Sequence, residues 1–189
     1  MSTSAEDLRS IALNEFATAG YAGTSLHRIA DLAGLSKSSV LYHFASKDAL
    51  LEAAVQPAID QMSRILETMS ARPVTRASRH EFIAEFVDFL LDHRLEVHLF
   101  INQGPSLVDV PVIDRANDLV RRLAEFFAST ALTTEDRMRF GVALGGAAYM
   151  LVAEQAMGLD SAPRDETRAA LLTILGELLA PVPVSANLE

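Results

Sequence analysis

The chain has 189 residues, no cysteine and a formal net charge of −9, with 25 acidic against 16 basic side chains. That length holds one or two compact units with a sizeable core. The missing thiols exclude disulfides, thiolate metal sites and cysteine nucleophiles. The longest apolar stretch, Gly141 to Ala153, is too short to span a bilayer, and no charged-then-apolar leader opens the chain. A cytoplasmic protein with no membrane partner is expected.

Every segment reads as helix, and no period-2 alternation marks a strand. The first helix is expected from Ser4 to Ala19, with Ser4 and Asp7 as a capping box and Leu8, Ile11, Ala12, Glu15, Phe16 and Ala19 along one stripe. The run Thr24 to Asp48 then reads as two short helices joined by a tight turn. Leu26, Ile29, Ala30 and Ala33 mark the buried face of the first, with Thr24 and Ser25 as cap candidates. Gly34 supplies the turn, where a left-handed backbone is cheap only without a Cβ. Leu35 plugs the turn, Ser36 caps the next helix and Val40 anchors it inward. Lys37, Ser38, Ser39, Tyr42 and His43 are left outside, and no carboxylate interrupts Leu35 to Ser46. An amine, hydroxyls, a phenol and an imidazole can donate to phosphates or read base edges. The pattern is a helix-turn-helix, a device for placing side chains in a DNA major groove. Thr24, Ser25 and Lys47 are expected on the DNA backbone, where helix N-termini favour phosphate.

These residues also carry a family likeness. Leu8 to Leu51 resembles the N-terminal domain of the TetR/AcrR-type transcriptional regulators. The leading helix ends in Phe16 followed by Gly20-Tyr21, and the T-S-x-x-x-I-A run is Thr24 to Ala30. The A-G-V-S-K turn is Ala33 to Lys37, with Leu35 in place of valine. The Y-x-H-F-x-S-K-x-x-L ending falls on Leu41 to Leu50. Leu41 stands where most members carry tyrosine, with Tyr42 directly after it; one lost hydroxyl contact is worth roughly 1 kcal/mol. The resemblance covers about the first quarter of the chain. It implies an all-α fold of about nine helices: a three-helix DNA-binding domain over residues 1–47 and a helical effector-binding and dimerisation domain over 48–189.

Charge divides along the same line. Residues 1–47 hold four basic and four acidic side chains, so the whole of the −9 falls on 48–189. The acidic part would repel DNA and help orient the neutral end toward it.

A fourth helix is expected from Ser46 toward Met69, kinked at Pro57. Helical spacing resumes from Ser78 to Asp92 and continues with a break to Gln103, where Gly104-Pro105 stops it. Another helix follows Pro111 to about Ser129. Thr133 with Asp136 caps a long one from Thr134 to Gly158. Pro163 opens the last, which runs to Leu179 before Pro181 and Pro183. No phosphate loop, HExxH or Gly-x-Ser-x-Gly is present, and His93 and His98 are five apart, the wrong offset for two ligands on one helix face. No enzyme, cofactor or metal site is expected.

Phe82, Phe86, Phe89 and Phe100 suit an aromatic-lined pocket for a small apolar effector, although phenylalanines at helical spacing are more often plain core. Phe86, Phe89, His98, Asn102, Gln103 and Tyr149 are the ligand-binding candidates. Gly141, Ala143, Gly145, Gly146, Ala147 and Ala148, with the leucines from Leu171 to Leu179, suit a seam between the two C-terminal helices of two copies. By resemblance, the expected protein is a homodimeric repressor released from a palindromic operator in double-stranded DNA by a small molecule, with recognition helices about 34–36 Å apart. A second reading keeps the DNA-binding head and gives the other half a protein partner.

Overall fold

The computed structural model describes residues 5–73, 75–104, 107, 110–130, 133–156 and 162–179. Among them every regular element is a helix: α1 (Ala5–Ala19), α2 (Leu26–Leu32), α3 (Lys37–His43), α4 (Lys47–Ser70), α5 (Arg76–Asp92), α6 (Arg94–Gln103), α7 (Pro111–Thr130), α8 (Thr134–Ala156) and α9 (Arg164–Leu178). The all-α expectation holds. Ser4, Pro105, Gly158, Pro181 and Pro183, which carried expected caps or stops, lie outside the described residues.

Local chemistry sets the boundaries. Ser25, Ser36 and Ser46 each sit in extended backbone and accept from the amide three residues on, satisfying donors that α2, α3 and α4 leave orphaned. Gly34 turns the chain at φ +66°. Thr133 and Asp136 form the expected reciprocal cap: Asp136 N donates to Thr133 Oγ1 at 3.0 Å and Thr133 N to Asp136 Oδ2 at 3.1 Å. Thr75 and Ser78 form another that the pattern did not flag, because serine stands where glutamate or glutamine is usual. Pro111 occupies the first position of α7, where its missing N–H costs nothing. His93, at φ −116° and ψ 38°, makes the break between α5 and α6. Pro57 stands exposed inside α4, which continues through it to Ser70.

Two cores result. The first joins Leu8, Ala12 and Phe16 of α1 to Ile29, Ala30 and Val40 of the helix-turn-helix and to Leu50, Leu51 and Val55 of α4. Leu99, Val112 and Ile113 also enter it from beyond residue 47. The second gathers Ala58, Met62, Ile65 and Leu66 of α4 with the apolar faces of α5, α7, α8 and α9. Helix α4 therefore threads both. Helix α9 lies along α5 and α8, where Leu175 and Leu179 are buried. Arg168 grips Asp88 with two hydrogen bonds, 2.6 and 2.9 Å, and Arg164 reaches Asp92 at 2.7 Å. Leu171, Leu172 and Leu178 are half-buried against the same core, and Ile174 is exposed.

Candidate nucleic-acid interface and apolar cavity

The sequence places small and apolar groups on the inner faces of α2 and α3, so α3 presents its polar side outward. Val40 is fully buried beneath it. Lys37, Ser38, Tyr42 and His43 are exposed, Tyr42 at 86%, and make no hydrogen bond or ion pair among the described residues. Leu41, at 41% exposure, lies among them as an apolar spot. Ser39 is half-buried and shares a 2.8 Å hydrogen bond with the Ser36 hydroxyl. Ser25 is exposed at the start of α2, where its Oγ accepts from Arg28 N at 3.1 Å.

Two expected contact residues have structural work instead. Thr24 is 3% exposed, and its hydroxyl donates to the carbonyl of Gly20 at 2.8 Å. Lys47 donates to the carbonyls of Tyr21 and Thr24 at 2.9 and 3.0 Å and stands 4.0 Å from the centre of the Tyr21 ring. Its ammonium staples the α1–α2 loop to the start of α4. Tyr21 packs against Phe16, with ring centroids 5.2 Å apart, and its hydroxyl donates to Asp48. Burial first, then the Asp48 carboxylate as hydrogen-bond partner and charge, hold this phenol well above its ordinary pKa. The head is thus locked by its own polar groups, while the outer face of α3 stays unengaged.

Between α4, α5, α6, α7 and α8 lies a cavity of about 450 Å³. Phe86, Phe89 and Tyr149 line it, and Tyr149 is also exposed to solvent. His98, Asn102 and Gln103 do not. Helix α6 turns Glu96, Val97, Phe100 and Ile101 toward the cavity, so residues 98 and 102 fall on another face, where His98 Nδ1 and Asn102 Nδ2 lie 3.4 Å apart. Gln103 reaches the head: it accepts from Tyr21 N at 2.7 Å and donates to the Phe16 carbonyl at 2.6 Å. The sequence reading missed Met62 and the α7 residues Ala116, Val120 and Leu123 in the wall. Their signal was an i, i+3, i+4, i+7 stripe from Val55 to Met62 and from Ala116 to Leu123, which is also what a filled core produces. Many of the phenylalanines are core: Phe127 touches Phe82 and stacks on Phe140 at 4.1 Å.

A helix-turn-helix head with a free polar recognition face, set on a helical body with an apolar cavity, is the architecture of a DNA-binding regulator. The comparisons narrow the class. The sequence model for bacterial regulatory proteins of the tetR family matches residues 8–54. The HTH-type transcriptional regulator RutR of Escherichia coli K12 is 42% identical over 104 residues, 53% of this chain and 49% of RutR, so the match spans about half the length of that relative. The negative regulator IcaR of the Staphylococcus aureus (strain Newman) biofilm operon icaADBC is 24% identical over 118 residues, 62% of this chain and 63% of IcaR. A crystal structure of a TetR-family regulator from Streptomyces coelicolor A3 superposes with a TM-score of 0.67 at 26% identity, covering 96% of this chain and 94% of that one. The head, residues 8–54, is thus similar to that of the tetR family of bacterial regulatory proteins, and the fold of the whole chain is shared with a TetR-family regulator; the relatives it matches are named as transcriptional regulators. No helix among the described residues is long and apolar enough to cross a membrane.

Proposed function

We propose that this chain is a homodimeric repressor of the cytoplasm that binds a palindromic operator through α3 and leaves it when a small apolar molecule enters the cavity. The observation that carries the reading is that the free polar face of α3 and the cavity share two helices. Helix α4 packs Leu50 and Leu51 into the head and lends Ala58 and Met62 to the cavity wall. Helix α6 lends Phe100 to the wall and holds the end of α1 through Gln103. A molecule that spreads the wall displaces both helices and with them the head. Lys37, Ser38, Tyr42 and His43 meet the groove and its phosphates, with Ser25 at the start of α2 on the backbone. Ser39 contributes through its bond to Ser36. Pro57, which leaves α4 without one backbone donor, is the point where bending costs least.

Dimerisation through the two C-terminal helices is supported by the outer side of α8. Met138, Val142 and Met150 are exposed there, and a Cβ added at Gly141 or Gly146 would meet nothing within 4 Å. On α9, Ile174 is the large apolar residue left exposed. Repression rather than activation is supported by the negative regulation in the name of IcaR.

The test is selection of bound sequences from a random duplex library, with and without a pool of small apolar metabolites. An enriched palindrome that disappears with one pool is expected. No enrichment at low salt would overturn the DNA-binding reading, and a palindrome insensitive to every pool would overturn the effector reading.

A further inference from the structure

The cavity is closed on one side and open on another. On α4 and α5 its wall includes Ala58, Met62, Phe86 and Phe89, all buried. The exposed wall residues are Val120 of α7 and Gly145 and Tyr149 of α8, with Val120 at 52% and Tyr149 at 58%. Helix α7 packs against α8, and Val120 and Gly145 each stand about three turns from the ends at which one helix gives way to the other. A Cβ added at Gly145 would meet nothing within 4 Å. A mouth between α7 and α8 therefore leads from solvent to a floor of buried apolar side chains.

The two ends of such a space treat a ligand differently. Glu96, the carboxylate among the wall residues, is already engaged: His93 Nδ1 lies 3.0 Å from its Oε1, and His93 Nε2 lies 2.9 Å from Gln61 Oε1. A polar group carried to the floor loses its water and meets hydrocarbon, which is costly. The same group left at the mouth keeps its water, while an apolar body behind it gains dispersion contacts on the floor. We propose, resting on the effector reading above, that the effector enters end-on between α7 and α8, past Val120, Gly145 and Tyr149. The cavity then selects amphiphiles whose polar groups are confined to one end. The hydrocarbon end lies on Phe86 and Phe89, and the polar end stays at the mouth.

The experiment follows N-phenylnaphthylamine, a neutral fluorescent probe, binding to the full-length protein by stopped flow. Gly145→Phe and Val120→Phe narrow the mouth from its two sides and should slow association and dissociation together, several-fold or more. Gly145→Ala adds one methyl and should leave both rates near wild type. Phenylalanine is a better helix former than glycine, and thermal melts verify that the variants are folded. Unchanged association in both phenylalanine variants overturns the mouth. The wild-type protein then displaces the probe with two isomers of octanediol, one with both hydroxyls at one end and one with a hydroxyl at each end. The one-ended isomer is expected to bind about tenfold or more tighter, because its partner must carry a hydroxyl to the floor. Equal affinity, or tighter binding of the two-ended isomer, overturns the selection and leaves the effector reading standing. Binding of neither the probe nor either diol overturns the cavity as an effector site and this proposal with it.

Discussion

The head and the body of this molecule are built to opposite specifications. In the head, polar side chains hold the backbone: three serine caps, the Thr24 hydroxyl on Gly20 and the Lys47 ammonium on two carbonyls. Its core is filled, with Leu8, Phe16, Ile29 and Val40 wholly buried. In the body, the helices are held by apolar faces and a few surface ion pairs, and the packing leaves a cavity of about 450 Å³. A reader of DNA needs its side chains pre-set, since misplaced contacts are lost contacts. A sensor needs a place where packing is incomplete, since only there can a ligand add contacts that the free protein lacks.

The contrast is broken most directly by removing one phenylalanine from each region. Phe16→Ala, in the filled core, should cost about 3–5 kcal/mol. Phe89 borders the cavity, so part of its surface already has no partner atoms, and Phe89→Ala should fall near or below about 3 kcal/mol. Urea unfolding of the two variants measures the difference. Equal losses would mean that the cavity is collapsed in solution and that head and body are packed alike.

A second comparison uses the two lysines of the head. Lys37 is exposed and unengaged, whereas Lys47 is bonded to Tyr21 and Thr24. Lys37→Ala should weaken DNA binding and lower the salt slope by about 1 with the melting temperature unchanged. Lys47→Ala should lower the melting temperature by an amount corresponding to about 1 kcal/mol and change the salt slope little. Reversed results would put Lys47 on phosphate and Lys37 on nothing.

What was legible in the sequence follows the same division. The helix-turn-helix could be read because backbone geometry dictates its residues: Gly34 for a positive φ, serines ahead of helices, and Val40 alone inward on α3. The roles of Thr24 and Lys47 were read as outward because cap and phosphate chemistry use the same groups; only the tertiary fold decides whether a hydroxyl or ammonium meets a carbonyl or solvent. The cavity was half legible. Phe86, Phe89 and Tyr149 lie in its wall, but helical periodicity marks an inward face without saying whether it meets a neighbour or a void. Gln103 was assigned to a ligand and instead bridges to Phe16 and Tyr21, a contact across more than eighty residues that no local pattern encodes. The leucines of α9 suggested a dimer seam; within the chain Leu175 and Leu179 are buried, while Leu171, Leu172 and Leu178 are half-buried and Ile174 is exposed.

The smallest expected effect concerns how α9 is held to the body. Asp88 and Arg168 form a two-pronged pair, each side chain 37% exposed. The Arg168 hydrogen bonds, opposed by desolvation and helped by the charges of Arg168 and Arg164, lower the Asp88 pKa below its ordinary 3.8. A carboxyl whose folded pKa is depressed contributes its stability above the unfolded value and loses it as pH falls through the folded one. The pair should therefore contribute fully at neutral pH and fade below about pH 4. Solvent screens it, so Asp88→Asn should cost only about 0.2–1 kcal/mol at pH 7, toward the upper end because the pair is bidentate. The gap between variant and wild type should close on acidification. Denaturant midpoints of both proteins from pH 7 downward measure it. A gap that persists unchanged at low pH would mean that Asp88 acts through packing rather than through its charged bond to Arg168.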